Sequence, residues 1–374
     1  MNGVKEAFIQ TMTNQKLWGA IVATIVTILL SYGLTKANIL KKEWKAGLVK
    51  VVMTIAVPAL VLTGFMKTAN IQQLKEQGVV LGVSFAFYIL LNVIAFLWNK
   101  FAPNFAKKSA EMIQDNKALN SDGSMSQSRA LIMWMMIIFG STTFFGFPII
   151  QAIYPNSGFV AANIWNIAYR VFLYSFCFMM ISGVKWSKKN FKDAMKKTFV
   201  NPIVICTFLG LILWLTTLIP GQSFGENFKT VEKGGVAWFE FGKTLPIIHT
   251  PLQKLGALAA PITWIAIGIT LASSDIKKAV KDKWVWIFSI QKLVLLPLFV
   301  FLIFLALNKT GVVSKEVAVS MVILAATPPA TVVVLYAIQY KMRDEFAAQC
   351  STLTTLLAVI MLPLWVVISS IAFI

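Results

Sequence analysis

Ten apolar runs, each close to the thickness of a bilayer core, constrain this chain more than any other feature. They fall at 17–35, 48–66, 78–98, 130–154, 159–182, 200–219, 245–272, 285–307, 317–340 and 346–374. A membrane-crossing helix needs about 20 mostly apolar residues. In hydrocarbon only helices and closed barrels satisfy every backbone polar group internally. Hydrophobic residues make up 57% of the 374 and charged residues 13%, with mean hydropathy +0.74. Short polar connectors therefore join spans, and no soluble core is expected. The expected class is an all-α polytopic membrane protein with ten transmembrane helices. The first run is too long for a signal-peptide core and reads as a retained first span.

The net charge of +19 sits largely in connectors. Those after spans one, three, five, seven and nine hold more than twice the Lys and Arg of the tails and other connectors together. The richer set faces the cytoplasm by the positive-inside rule, which places both termini outside a plasma membrane. The most basic connector, 183–199, reads as a topology determinant, with contact to anionic lipid as the alternative. Nucleic acid is not an expected partner; the lipid bilayer is.

The span Met321–Tyr340 carries Pro328 and Pro329 at its centre. Each interior proline removes a donor and clashes with the carbonyl four residues back, costing roughly 3 kcal/mol or more. Irregular backbone at membrane depth is tolerated only where it is buried in protein or lines a cavity. The reading is a discontinuous helix with binding elements at its broken ends, as in secondary transporters; the alternative is a kink with no ligand. Met136–Thr142 matches Met321–Thr327, and Gln151–Tyr154 falls on Tyr336–Gln339. Val80–Leu91 likewise matches Val285–Leu296. Five spans per half invert the second half relative to the first. The fourth span, with Gly140, Gly146 and Pro148, is the damaged mate of the ninth. The expected architecture is two inverted five-helix repeats, 1–182 and 200–374, whose helices 4 and 9 are broken and crossed. Unwinding is expected at 142–148 and 327–333.

No carboxylate lies deep in any span. Proton- and sodium-coupled carriers commonly use an embedded Asp or Glu, so such coupling is disfavoured. Two cations are embedded instead: Arg170 near the middle of the fifth span and Lys292 near the centre of the eighth. Charges at that depth face a cavity or a partner. Without an acid nearby, the partner is either an anionic substrate or backbone carbonyls. Gln291, Asn163 and Asn166 add hydrogen-bonding capacity, but adjacent helical positions diverge, so they are not expected to face one site together. Cys177, Cys206 and Cys350 lack paired spacing, and His249 stands alone. With no nucleophile elbow, metal-spaced set or phosphate loop, no enzyme, metal or cofactor is indicated.

The segments FGSTTFFGFP at 139–148, NPIVICTFLGLIL at 201–213, PPATVVVLYAIQY at 328–340 and STLTTLLAVIMLPLW at 351–365 resemble the auxin efflux carrier family, whose bacterial members include malate permeases. The resemblance implies a ten-span inverted-repeat fold like that of sodium/proton antiporters and bile-acid symporters. In it, spans one, two, six and seven form a scaffold that dimerises, and spans three to five and eight to ten form a moving transport domain. It also implies transport of a small organic anion whose carboxylate sits beside the crossover. Ser141 departs from the family, which usually carries Asn after the glycine.

The expected function is a carrier for malate or a similar small carboxylate, by elevator-type alternating access as uniport or anion exchange. Alternatives are a sodium-coupled organic-anion symporter and a non-transporting anion or lipid sensor. The expected substrate-binding residues are Ser141, Thr142, Thr143, Gly146, Pro148, Arg170, Gln291, Lys292, Thr327, Pro328, Pro329 and Thr331.

Overall fold

The structure, a computed structural model, describes residues 6, 9, 11–69, 71–101, 129–183, 199–222 and 235–373. The basic connector 183–199 and the loop 99–129 lie almost wholly outside them. Every apolar run is helical. We label the helices α1 (Gln15–Lys36), α2 (Trp44–Phe65), α3 (Ile71–Phe101), α4a (Arg129–Ile138), α4b (Thr142–Ile153), α5 (Ser157–Ser182) and α6 (Pro202–Thr216). They continue with α7 (Pro246–Ser273), α8 (Lys283–Lys309), α9a (Lys315–Ala325), α9b (Thr331–Gln339) and α10 (Asp344–Ala372). Seven of these, α1, α2, α3, α5, α7, α8 and α10, are long and apolar enough to cross a membrane. The described residues form no β-strand, and the chain is an all-helical polytopic membrane protein.

Local chemistry sets several helix starts. The Asn14 side chain accepts from the Leu17 amide at 3.1 Å, Asn201 from Ile203 at 2.9 Å and Asp282 from Trp284 at 2.8 Å. Each satisfies an amide that the first turn leaves without a partner. Pro202 follows Asn201 at a position where its missing donor costs nothing.

Prolines inside spans leave a different mark. The wide π-turns Val52–Ala56, Thr142–Gly146 and Gln291–Leu295 each end two residues before a proline, at Pro58, Pro148 and Pro297. The ring clashes with the carbonyl four residues back, and a local i→i+5 turn relieves the crowding while the helix continues. For Pro297 the freed carbonyl is that of Leu293, and the Trp365 indole N–H donates to it at 2.8 Å. A fourth π-turn, Leu173–Cys177, has no following proline.

Two sets of helices pack together. α1 runs along the second part of α7, and α2 packs on α6 and the first part of α7. At Gly268 of α7 a methyl group would lie 2.5 Å from the Ile28 carbonyl, so that contact requires the bare backbone. In the other set, α3 packs on α5, α5 on α9a, and α9a on α8 and α10. Gly158–Arg170 of α5 and Val317–Ala325 of α9a are buried at every position. Helices buried on every side lie at the centre of the bundle, and these two flank the site.

The break in the fourth span falls earlier than expected. Phe139–Ser141 leaves the helix, whereas 142–146 is a π-turn and Phe147–Ile153 is α-helical with Pro148 in its first turn. Pro148 is tolerated because the π-turn ahead of it takes up the crowding while α4b continues. In the ninth span the interruption is Ala326–Ala330, and Thr331 already starts α9b.

Candidate functional site: a crossover of two interrupted helices

Where α4 and α9 are interrupted they bond to each other. The Ser141 amide donates to the Pro328 carbonyl at 2.7 Å, and the Ala330 amide donates to the Phe139 carbonyl at 2.9 Å. These two bonds form an isolated antiparallel bridge between Gly140 and Pro329. Pro329 has no N–H, and in this register none is asked of it, because its neighbour Ala330 donates. Each interruption thus supplies partners the other has lost, so the non-helical backbone is satisfied inside the protein.

Side chains take the remaining carbonyls. The Tyr169 hydroxyl donates to the Gly140 carbonyl at 2.7 Å, and the Thr327 hydroxyl to that of Leu324 at 2.7 Å. The Lys292 ammonium donates to the Ile137 carbonyl at 2.8 Å, placing a cation on the negative C-terminal end of α4a. A methyl group on Gly140 would lie 2.3 Å from Thr327 Oγ1 and 3.1 Å from Lys292 Nζ.

A cavity of about 30 Å³ lies beside the bridge, lined by Ser141, Thr143, Tyr169, Arg170, Tyr174 and Thr331 among others. That is room for about one water molecule; a dicarboxylate enters only if the cavity widens. Arg170 is 4% exposed. Its Nη1 donates to Thr207 Oγ1 of α6 at 2.6 Å, its Nη2 has no partner, and the guanidinium stands 5.9 Å from the Phe147 ring centroid. Lys292 is 1% exposed. Among the described residues neither cation pairs with an acid; the ion pairs Lys243–Glu240 and Lys278–Glu345 involve exposed lysines outside the spans.

The structure therefore brings Ser141, Thr143, Arg170 and Thr331 to one cavity. Thr142 turns away, its hydroxyl donating to Asn166 Oδ1 at 2.6 Å. Thr327, Pro328 and Pro329 build the crossing backbone. Gly146 packs against Leu324, Pro148 opens the helical part of α4b, and Gln291 shares the Lys292 π-turn with its Oε1 buried and unpartnered. Tyr169 and Thr207 are contacts that residue type did not single out. One sequence signal was available: Asn163, Asn166 and Arg170 are spaced i, i+3, i+7, which puts all three on one face of α5.

A larger cavity of about 620 Å³ is lined by Lys67, Gln77, Asn156, Trp214, Glu240 and Glu316 among others. The Lys67 ammonium donates to Asn156 Oδ1 at 2.7 Å and to the Pro155 carbonyl. Burial lowers its pKa, and Glu240 and Glu316 oppose that. Burial and the neighbouring Glu76 raise the Glu316 carboxyl, with Lys67 opposing. Both Gln77 side-chain polar atoms are buried without a partner.

An all-helical apolar chain whose two interrupted helices cross beside a buried, unpaired arginine has the construction of a membrane transporter. A family model for membrane transport proteins matches residues 122–366, and the chain belongs to that family, the auxin efflux carriers. It is also similar to an uncharacterized transporter of Methanothermobacter thermautotrophicus, 23% identical over 350 residues that span 93% of this chain and 97% of that protein. These are transporters, not enzymes.

Proposed function

We propose that the chain carries a small organic anion, malate or a similar carboxylate, across the plasma membrane as a uniporter or anion exchanger. The observation that carries this reading is Arg170: a buried guanidinium with no acid beside it, its Nη2 unpartnered, at the edge of the crossover cavity. An uncompensated charge in that setting costs several kcal/mol, and a carboxylate is the partner that offsets it best, through paired charge-assisted hydrogen bonds. Ser141, Thr143 and Thr331 add hydroxyls on the same cavity.

The proposed mechanism is an elevator. α1, α2, α6 and α7 are the scaffold, through which two copies dimerise, and α3–α5 with α8–α10 are the transport domain. The two packing sets described above support this division. The matched segments of the two halves and their crossed interruptions support ten spans arranged as inverted repeats, with both termini outside. Lys292, bound to the end of α4a, places its amino group at the crossover where coupled carriers place an ion.

Uptake of labelled malate into proteoliposomes tests the reading. Wild type should accumulate label without sodium, and Arg170→Ala should abolish it. Undiminished uptake by both Arg170→Ala and Lys292→Ala would overturn the cationic site; strict sodium dependence would favour the symporter.

A further inference from the structure

We propose that Thr207 is an interlock: it holds Arg170 in the empty carrier and releases it when an anion binds, so that substrate binding and release of the transport domain are one event. This rests on the reading above, in which Arg170 meets the anion and α5 and α6 belong to different domains. Thr207 is 1% exposed. Its hydroxyl donates to the Ile203 carbonyl at 2.7 Å, which fixes the hydrogen and leaves a lone pair to accept from Arg170 Nη1 at 2.6 Å. A further polar tie at the α5–α6 contact, Asn201 Nδ2 to the Tyr174 hydroxyl, is longer at 3.4 Å.

The guanidinium is thus divided: Nη1 is held by α6, and Nη2 is buried and free beside the cavity. A carboxylate binds arginine best through two parallel N–H bonds, each roughly twice as strong as a bond to a neutral acceptor. A carboxylate in the cavity takes the unpartnered Nη2, and a fork that closes on both terminal nitrogens draws Nη1 away from Thr207. The exchange removes a tie to the scaffold and replaces it with a bond inside the transport domain. A ligand shifts a conformational equilibrium only by its differential interaction with the two states, and the Thr207 bond provides that difference. Thr207 is accordingly a positioning residue that acts through Arg170.

The test has two arms. In the first, spin labels on exposed Ile212 of α6 and Leu302 of α8, in a Cys206→Ala background where Cys177 and Cys350 are buried, report the distance between the domains without any anion. Thr207→Val should add a second, shifted distance population. Thr207→Ser, which keeps the hydroxyl, should match wild type. In the second arm, labelled malate is taken up by proteoliposomes loaded with malate or left empty. Exchange should exceed net uptake in wild type and Thr207→Ser, and the ratio should fall toward one in Thr207→Val because the empty domain returns freely. An unchanged distance distribution in Thr207→Val, or an equal change in Thr207→Ser, overturns the interlock. Absence of malate flux in wild type, with the distance response intact, overturns the substrate reading and leaves the interlock standing.

Discussion

Gly140 and Pro329 face each other in an antiparallel bridge at the point where the two interrupted helices cross. The pairing joins the residue with the smallest side chain to one with no amide hydrogen, and neither property is incidental. A side chain at 140 would strike Thr327 Oγ1, which is committed to the Leu324 carbonyl. An amide at 329 is not needed, because Ser141 and Ala330 make both bonds.

Gly140→Ala is therefore expected to destabilise the protein by about 1–3 kcal/mol through overpacking, with loss of malate uptake. Gly146→Ala is the comparison. There the nearest atom, at 2.6 Å, is Leu324 Cδ2, the end of a flexible side chain, so its thermal midpoint should drop less. Fluorescence-monitored melting of the two variants in detergent measures the difference.

Lys292 sets burial against hydrogen bonding. Burying an ammonium costs several kcal/mol. Its single bond to the Ile137 carbonyl returns about 1.5–3 kcal/mol, and the charge at the end of α4a adds about 0.3–2 kcal/mol. Lys292→Met removes the burial cost but leaves the Ile137 carbonyl without its donor, at about 1–3 kcal/mol, so its melting midpoint should stay near that of wild type while malate uptake falls. A lower melting temperature with normal uptake would make Lys292 a structural cap.

The Thr142–Asn166 bond is fully buried, and Asn166 Nδ2 donates to the Ala162 carbonyl. Thr142→Val keeps the shape and leaves Asn166 Oδ1 without a donor. That should cost about 1–3 kcal/mol, read as a lower thermal midpoint, with Thr142→Ser close to wild type.

Glu316 gives a pH dependence. Its carboxyl is raised above the ordinary 4.5, burial first and Glu76 second, so ionisation is disfavoured in the folded state. A raised folded-state pKa contributes stability that is present at pH below the unfolded value and is lost as pH rises through the folded one. Glu316→Gln should therefore melt higher than wild type near pH 7, with the gap closing as pH falls below about 4.5. A gap that does not change with pH would assign the effect to packing.

Much of the fold is legible in the chain itself. The apolar runs reappear as helices within a few residues, and both damaged spans are interrupted, at 139–141 and at 326–330. The exact place of the break in the fourth span is not legible. Pro148 and the glycines mark a wide window, whereas the π-turn at 142–146 absorbs the strain of Pro148 and the helix continues through it. Of the candidate site, Arg170 with Ser141, Thr143 and Thr331 reaches one cavity, while Thr142 and Thr327 are spent on internal bonds.

What the sequence by itself determined was the solvent and the defects: hydrocarbon around apolar helices, two helices that prolines and glycines keep from running through, and two cations with no acid at their depth. These follow from local composition, because a bilayer penalises every unsatisfied polar group in much the same way wherever it lies. Tertiary structure decided which group satisfies which. That Lys292 reaches Ile137, Tyr169 reaches Gly140 and Thr207 takes one edge of Arg170 depends on helix registers and close approaches between segments up to 155 residues apart. Hydrogen bonds form only within about 3 Å and along narrow angles, a precision that residue type and spacing along one helix do not specify.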